Sequence, residues 1–159
     1  MGADPVDAGQ VEAVMRAASV LLAVVAQSVA EVEDVVTTPQ LRVLVLIATH
    51  GPQHLGAVAA DLGVHPSNAT RICERLVNAG LIERADDPQD RRFLKLVLSA
   101  RGRQLVEQVM DHRRTAIAAV VGRLPTRARA SLAAALDAFA RSAGEDGTED
   151  GRFALRAGD

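Results

Sequence analysis

The sequence predicts a mainly α-helical fold with one small β-hairpin. Three observations favour this class: apolar residues recur at spacings of three and four along several segments, only six of the 159 residues are proline, and a single pair of short alternating segments lies near the middle. Spacings of three and four place residues on one face of a helix, whereas alternation is typical of a strand. Because aromatic residues make up only 2% of the chain, the core is expected to be aliphatic.

The N-terminal part predicts an amphipathic helix over 11–32. Its apolar stripe includes Val14, Leu21 and Val25, while Val20 and Val24 project in other directions. A small protein has too little core to cover both sides of such a helix, so this surface indicates contact with a second copy of the chain. A helix wrapped by its own chain is the alternative that the sequence leaves open.

Thr38 and Pro39 predict the start of a second helix. A threonine hydroxyl can accept a hydrogen bond from a free amide at the N-cap, and proline fixes φ for the first helical residue. This helix is expected to end at Gly51, and a third helix is expected over 55–62.

The residues 63–65 join the third helix to a fourth, which begins at Pro66 and ends at Gly80. Ala69, Ile72, Cys73 and Leu76 are predicted to face inward on this fourth helix. Two short helices joined by a three-residue turn have the spacing of a helix-turn-helix.

A hairpin follows the fourth helix, with strands expected over 81–85 and 93–98 and a charged tip between them. Alternation places Leu94, Leu96 and Leu98 on one face, which is expected to pack on the helices. A helix-turn-helix followed by such a hairpin predicts a winged helix-turn-helix.

Ser99 predicts the cap of a fifth helix that ends near Leu124, and a sixth helix is expected over 126–143 with Leu132, Leu136 and Phe139 facing inward. The predicted organisation has an N-terminal dimerisation helix, a winged helix-turn-helix region, C-terminal dimerisation helices and an acidic flexible tail. These regions span 1–36, 37–99, 100–143 and 144–159, respectively.

Charge and cysteine content narrow the function classes. The net charge is −2, but residues 65–103 hold eight basic and five acidic side chains, so the middle of the chain is locally positive. The single cysteine, Cys73, excludes an intramolecular disulfide and a multi-thiolate metal site. Residues 1–10 lack the features of an export signal, and no apolar run is expected to span a membrane. These observations predict a cytoplasmic protein without membrane contact.

The fourth helix and the hairpin tip carry the predicted DNA-binding residues. Small polar side chains near the start of the helix allow its backbone to approach the floor of the major groove, and arginines can bind guanine edges or phosphates. Arginines at the hairpin tip suit the negative potential of the minor groove, and Asp90 is placed to hold their geometry. The predicted DNA contacts are His65, Ser67, Asn68, Thr70, Arg71, Arg75, Arg91 and Arg92.

From Val11 to about Ala143 the chain resembles the MarR family of bacterial transcription regulators. Its wing motif is the most specific part, with Asp90 and Arg92 in the places of the family's Asp-x-Arg pattern, ahead of a strand that ends in Leu-Ser. The segments that carry the resemblance are 38–40, 55–63, 66–71, 76–82, 87–92, 95–99 and Gly102.

The resemblance implies a triangular homodimer in which the first, fifth and sixth helices intertwine. It also implies a repressor that reads a pseudo-palindromic operator in double-stranded DNA, inserts Arg92 into the minor groove, and is released by a small anionic or aromatic effector. The expected effector site is the cleft between the dimer helices and the winged helix. Oxidation-sensing relatives use a cysteine in the first helix, which this chain lacks, so Cys73 is interpreted as core packing.

His65 stands where relatives commonly place a serine or threonine cap. A weaker cap or a phosphate contact could result, although an exposed turn histidine is the favoured interpretation. His50 and His54 are four residues apart, but Gly51 and Pro52 interrupt the helix that would align them, so a metal site is not predicted.

The chain contains no motif of an enzyme or of a bound cofactor, so neither is expected. A winged helix that binds another protein instead of DNA is the main alternative.

Overall fold

The computed structural model describes residues 6–87 and 94–143. Within these two ranges, four helices precede a two-stranded antiparallel sheet and two helices follow it, which confirms the predicted fold class. The elements are α1 (Ala8–Ala30), α2 (Thr38–His50), α3 (Leu55–Leu62), α4 (Pro66–Asn78), β1 (Ile82–Asp86), β2 (Leu94–Leu98), α5 (Ala100–Val121) and α6 (Thr126–Ser142).

The core lies between α2, α3, α4, the inner face of the hairpin and the first half of α5. Its largest side chains without solvent exposure include Leu44, Leu76 and Leu81, so the core is aliphatic as predicted. The predicted inward face of α4 is confirmed, because Ala69, Cys73 and Leu76 are all buried. This packing leaves the opposite face of α4 at the surface.

The hairpin pairs Ile82 with Leu98 at its base and Asp86 with Leu94 toward its tip. Leu96 and Leu98 are buried as predicted, but Leu94 is 52% exposed because it lies beyond the reach of the core. The backbone of Gln53 exchanges two hydrogen bonds with Leu96, of 3.1 and 2.8 Å. β2 is therefore held on both sides, by β1 and by the segment before α3.

Two predicted helix starts are wrong by a few residues. α1 begins at Ala8, three residues before the first apolar residue of its stripe. The N-cap of α2 is Thr37 and not Thr38, and the backbone amide of Thr37 donates to Gln40 Oε1 at 2.8 Å. A glutamine three residues after the cap stabilises this earlier start.

The terminal helices bury little within one chain. α1 buries only Ser28 and α6 buries none of its residues. The predicted inward orientation of Leu136 and Phe139 is wrong for the single chain, since their exposures are 47% and 57%. Apolar residues of α1 and of the second half of α5 are exposed in the same way.

α1 is also long and apolar enough to cross a membrane, with a mean hydropathy of 1.8 in its 18-residue window. The expectation that no apolar run reaches this length is therefore wrong by length and composition. Its side chains nevertheless contact the rest of the fold, because Arg113 Nε of α5 donates to Ser28 Oγ at 2.8 Å. Burial lowers the pKa of the Arg113 guanidinium.

Candidate nucleic-acid interface

The exposed face of α4 holds most of the predicted DNA contacts. His65, Ser67, Asn68, Arg71 and Arg75 are all exposed on or just before this helix. The structure thus brings these predicted residues together on one surface, as the spacing of the helix requires. Their backbone is fixed from behind by the buried face of α4.

His65 is the N-cap of α4 and has an extended backbone, with φ −62° and ψ 142°. Its Nδ1 accepts a hydrogen bond from the Ser67 backbone amide at 3.3 Å and lies 2.9 Å from Ser67 Oγ. The favoured interpretation as an exposed turn histidine is therefore incomplete, because the ring replaces the usual hydroxyl cap. A neutral ring that accepts at Nδ1 carries its hydrogen on Nε2.

Thr70 differs from its neighbours because it is half-buried. Its hydroxyl donates to the Pro66 carbonyl at 2.9 Å, four residues earlier on the same helix. The hydroxyl hydrogen is therefore engaged within α4, and the oxygen retains a lone pair that can accept from a base or from water.

Arg71 and Arg75 lie one helical turn apart on the exposed face of α4. Within 6–87 and 94–143, neither guanidinium has an ion-pair partner. Guanidinium groups without an internal acid keep their forked donors for phosphates or guanine edges. These two residues form the basic part of the surface.

The predicted tip residues Asp90, Arg91 and Arg92 lie outside the described residues. The last described residue before the tip is a buried acid, Asp87, which is 4% exposed. Lys95 Nζ lies 3.1 Å from Asp87 Oδ1, and His54 Nε2 lies 3.2 Å from Asp87 Oδ2. This cluster ties the wing to the N-terminus of α3.

No local signal in the sequence predicts this role for Asp87, His54 and Lys95. His54 has only the spacing of a weak metal candidate, and the other two residues belong to the wing motif. A histidine more than 30 residues from its acid gives no local signal, so only the fold brings them together. No group of three metal-ligating side chains occurs in the part of the chain that the structure describes.

Cys73 lies on the buried side of α4 and is 2% exposed. Burial raises the pKa of its thiol to about 11, and the nearby Arg84 acts in the opposite direction. The thiol is therefore uncharged near neutral pH, as suits a residue that packs the core.

A cleft of about 550 Å³ lies between the C-terminal end of α2, strand β2 and helix α5. Its lining includes apolar side chains and charged side chains of both signs. Three of these charges are already engaged with the protein, because Arg103 donates to the Leu98 carbonyl and Arg114 pairs with Asp111. The main lining residues are Ile47, Pro52, Val97, Arg103, Glu107 and Arg114.

A helix-turn-helix whose second helix is exposed, followed by a hairpin anchored to the same core, defines a winged helix-turn-helix protein. The family model for the MarR family matches residues 36–93, which cover the helix-turn-helix and strand β1 but end before β2. RV1404 from Mycobacterium tuberculosis is similar over nearly its whole length. Its crystal structure has 41% identity and a TM-score of 0.76, and the match covers 91% of this chain and 99% of that one. The chain belongs to the MarR family.

Two curated relatives agree with this assignment. The HTH-type transcriptional repressor MdtR of Bacillus subtilis is 34% identical over 52% of this chain and 54% of its own length. The uncharacterized HTH-type transcriptional regulator Mb0904 of Mycobacterium bovis is 30% identical over 64% of this chain and 71% of its own length. The chain spans only 42% to 54% of the length of the first three curated relatives that it matches.

Proposed function

We propose that this chain is a homodimeric transcriptional repressor that binds a specific, pseudo-palindromic DNA operator and has no catalytic activity. The observation that carries the proposal is the exposed face of α4, where a capped helix N-terminus lies beside two arginines without an internal ion pair. Membership of a family whose named relatives are transcriptional regulators supports the same function. The proposed location is the cytoplasm.

Each residue of the surface has a distinct role in the proposal. Ser67, Asn68 and Thr70 contact base edges in the major groove, because short side chains let the helix approach the groove floor. Arg71 and Arg75 bind guanines or flanking phosphates. His65 donates from Nε2 to a phosphate near the helix N-terminus. Arg91 and Arg92 reach the minor groove from the wing tip, with Asp90 holding their geometry.

The homodimer is supported by the apolar surface that one chain leaves open. Leu22 of α1 is 66% exposed and Phe139 of α6 is 57% exposed, and similar residues lie on both helices. Groups of exposed apolar residues mark an interaction surface. The assignment of this surface to a second copy follows from the resemblance, in which the corresponding helices intertwine.

Selection of bound sequences from a random duplex library tests the function directly. We expect enrichment of inverted repeats whose half-sites lie about one helical turn apart, roughly 34–36 Å. Affinity for the selected duplex should fall steeply between low and moderate salt, because each phosphate contact releases counterions. A protein-interaction module, the main alternative, would enrich no sequence and bind no duplex.

The wing is tested by Arg92→Ala. Loss of a minor-groove arginine should weaken binding to the selected duplex by roughly 1–3 kcal/mol while the folded dimer persists. Fluorescence anisotropy measures the affinity, and circular dichroism reports the fold. Unchanged affinity in the folded variant would remove the wing from the mechanism.

The effector part of the proposal concerns the cleft between α2, β2 and α5. A small anionic or aromatic molecule bound there would contact both the winged helix and the long helix α5. Titration of the selected complex with salicylate as a probe, followed by anisotropy, tests release from DNA. Release by salicylate in the wild type, but not in a variant with Val97→Trp to fill the cleft, is the expected result.

A further inference from the structure

The end of α4 is fastened to the start of α5 by a compact set of hydrogen bonds. Three consecutive residues follow α4, namely Ala79, Gly80 and Leu81. The backbone carbonyl of each accepts a hydrogen bond from Ser99 or Arg101, at the start of α5. We name this contact the α4–α5 joint. It consists of residues 79–81 and 99–102.

Ser99 supplies two of the bonds. Its hydroxyl donates to the Gly80 carbonyl at 2.7 Å, and its backbone amide donates to the Leu81 carbonyl at 3.1 Å. The same hydroxyl oxygen accepts from the Gly102 amide at 3.0 Å, so one side chain caps α5 and holds the exit of α4. Ser99 is 7% exposed, which shields these bonds from water.

Arg101 supplies the third bond, from Nη1 to the Ala79 carbonyl at 3.1 Å. Arg101 has no ion-pair partner within the described residues, so this contact is the one that orders its side chain there. A hydrogen bond from a charged donor is stronger than one between neutral groups.

Gly102 allows the two segments to approach this closely. A Cβ at this position would lie 2.0 Å from the Leu81 carbonyl oxygen, far inside contact distance. The backbones of residues 79–81 and 99–102 are therefore in direct contact, and the angle between the two segments can vary little.

We propose that Ser99 and Arg101 are positioning residues that fix the angle between the recognition helix α4 and the dimerisation helix α5. The inference rests on the proposed function, because it assumes that a dimer presents two copies of α4 to DNA. In such a dimer the distance between the two recognition helices depends on the angle between α4 and α5 in each subunit. A rigid joint fixes this distance, so the protein binds half-sites at one spacing much more tightly than half-sites at other spacings.

The test measures spacing discrimination and not affinity alone. One inserted base pair moves a half-site by about 3.4 Å and rotates it by about 34°. The wild type and Arg101→Ala are each titrated with the selected duplex and with versions that carry one base pair more or less between half-sites. We expect the ratio of dissociation constants between altered and selected spacing to fall about fivefold in Arg101→Ala, the factor for one hydrogen bond.

Two further variants separate positioning from charge. Arg101→Lys keeps a donor and should restore part of the discrimination. Arg123→Ala removes an equal charge just beyond the far end of α5, where the side chain makes no hydrogen bond or ion pair within the described residues, so it should retain wild-type spacing discrimination. An equal loss of affinity at all spacings in Arg101→Ala would overturn the proposal, since that pattern indicates loss of a phosphate contact only.

A second measurement does not use DNA. A spin label at Glu74→Cys in a Cys73→Ala background reports the distance between the two recognition helices of a dimer. Arg101→Ala should broaden this distance distribution, and an unchanged distribution would contradict the positioning role. A wild-type protein that binds no selected duplex would contradict the proposed function and the spacing effect, while the distance distribution would still report whether the joint orders α4.

Discussion

The buried thiol of Cys73 illustrates how position decides the chemistry of one side chain. It is the only cysteine of the chain, and in the recognition helix an accessible thiol would invite a sensory interpretation. The side chain instead faces the core, between Ala69 and Leu76 on the same face of α4. The residue is therefore part of the packing that holds the exposed face of α4, the proposed DNA contact, in place.

The raised pKa of Cys73 predicts both slow modification and a pH dependence. Near pH 8 the native protein should react with a chromogenic disulfide reagent far more slowly than the same protein in denaturant, because little thiolate is present. The protonated thiol favours the folded state, so its contribution is complete below pH 9.0 and is lost as pH rises towards about 11. Equal reaction rates in native and denatured protein would contradict the buried placement.

Arg71 offers a test of the recognition surface at the same scale. Arg71→Ala should weaken binding to the selected duplex by roughly 1–3 kcal/mol without a change in thermal stability, because the side chain makes no described internal ion pair. Arg127→Ala provides a control with the same charge change on the distant helix α6. An equal loss of affinity in both variants would indicate a general effect of charge, with no particular role for Arg71.

At the scale of elements, the close approach of α5 to the exit of α4 depends on one glycine. Gly102→Ala should lower the free energy of unfolding by about 3 kcal/mol, since the new Cβ would collide with backbone and not with a flexible side chain. Gly56→Ala is the matched control, because no atom lies within 4 Å of its added Cβ and alanine favours a helix. Urea denaturation of both variants measures the difference. Equal stabilities would show that the joint can open at no cost.

Some elements could be predicted from sequence because their signals are local. Pro66 and Gly80 bracket α4, and the apolar spacing of Ala69, Cys73 and Leu76 fixes its inner face. The recognition surface follows from these local facts, since the remaining face must be exposed. The residues predicted there do lie together, although their contacts with DNA remain predictions.

Other features depend on contacts that the sequence does not display. The sequence predicts Thr38 as the cap of α2, but the structure has Thr37 there. Two adjacent threonines carry nearly the same signal, and the hydrogen bond between the Thr37 amide and the Gln40 side chain selects the first of them. The cluster of Asp87, His54 and Lys95 and the bonds of Arg101 join residues distant in sequence. Such pairs become visible only once the elements are placed.

At the scale of the whole molecule, the exposed apolar face of α6 explains why the predicted inward orientation of Leu136 and Phe139 is wrong for a single chain. The pattern of Leu132, Leu136 and Phe139 marks a face to be buried, but it does not say which chain buries it. Within a single chain that face stays open. A periodic apolar pattern therefore predicts that a face is buried, but it does not identify the chain or element that covers this face.

A pair of leucine substitutions tests the proposed dimer surface. Leu136→Glu should raise the dimer dissociation constant by at least about tenfold, because a charge would be buried in the interface. Leu94→Glu is the control, since Leu94 is exposed to a similar degree but lies on the wing. Analytical ultracentrifugation over a concentration series measures both. A Leu136→Glu protein that stays dimeric at wild-type concentrations would place the interface elsewhere.

The lack of any buried residue in α6 also has a consequence for the folding of newly synthesised chains. An isolated helix of 17 residues is little longer than the roughly 12–15 residues below which helices are marginal in water, so in the proposed dimer this part would gain much of its order when two copies meet. The yield of competent molecules then rises with roughly the square of the number of chains made. If the chain is the proposed repressor, a cell that halves its expression would lose more than half of the working dimers, and the repressed promoter would respond with a sharper threshold than the abundance of the polypeptide alone gives.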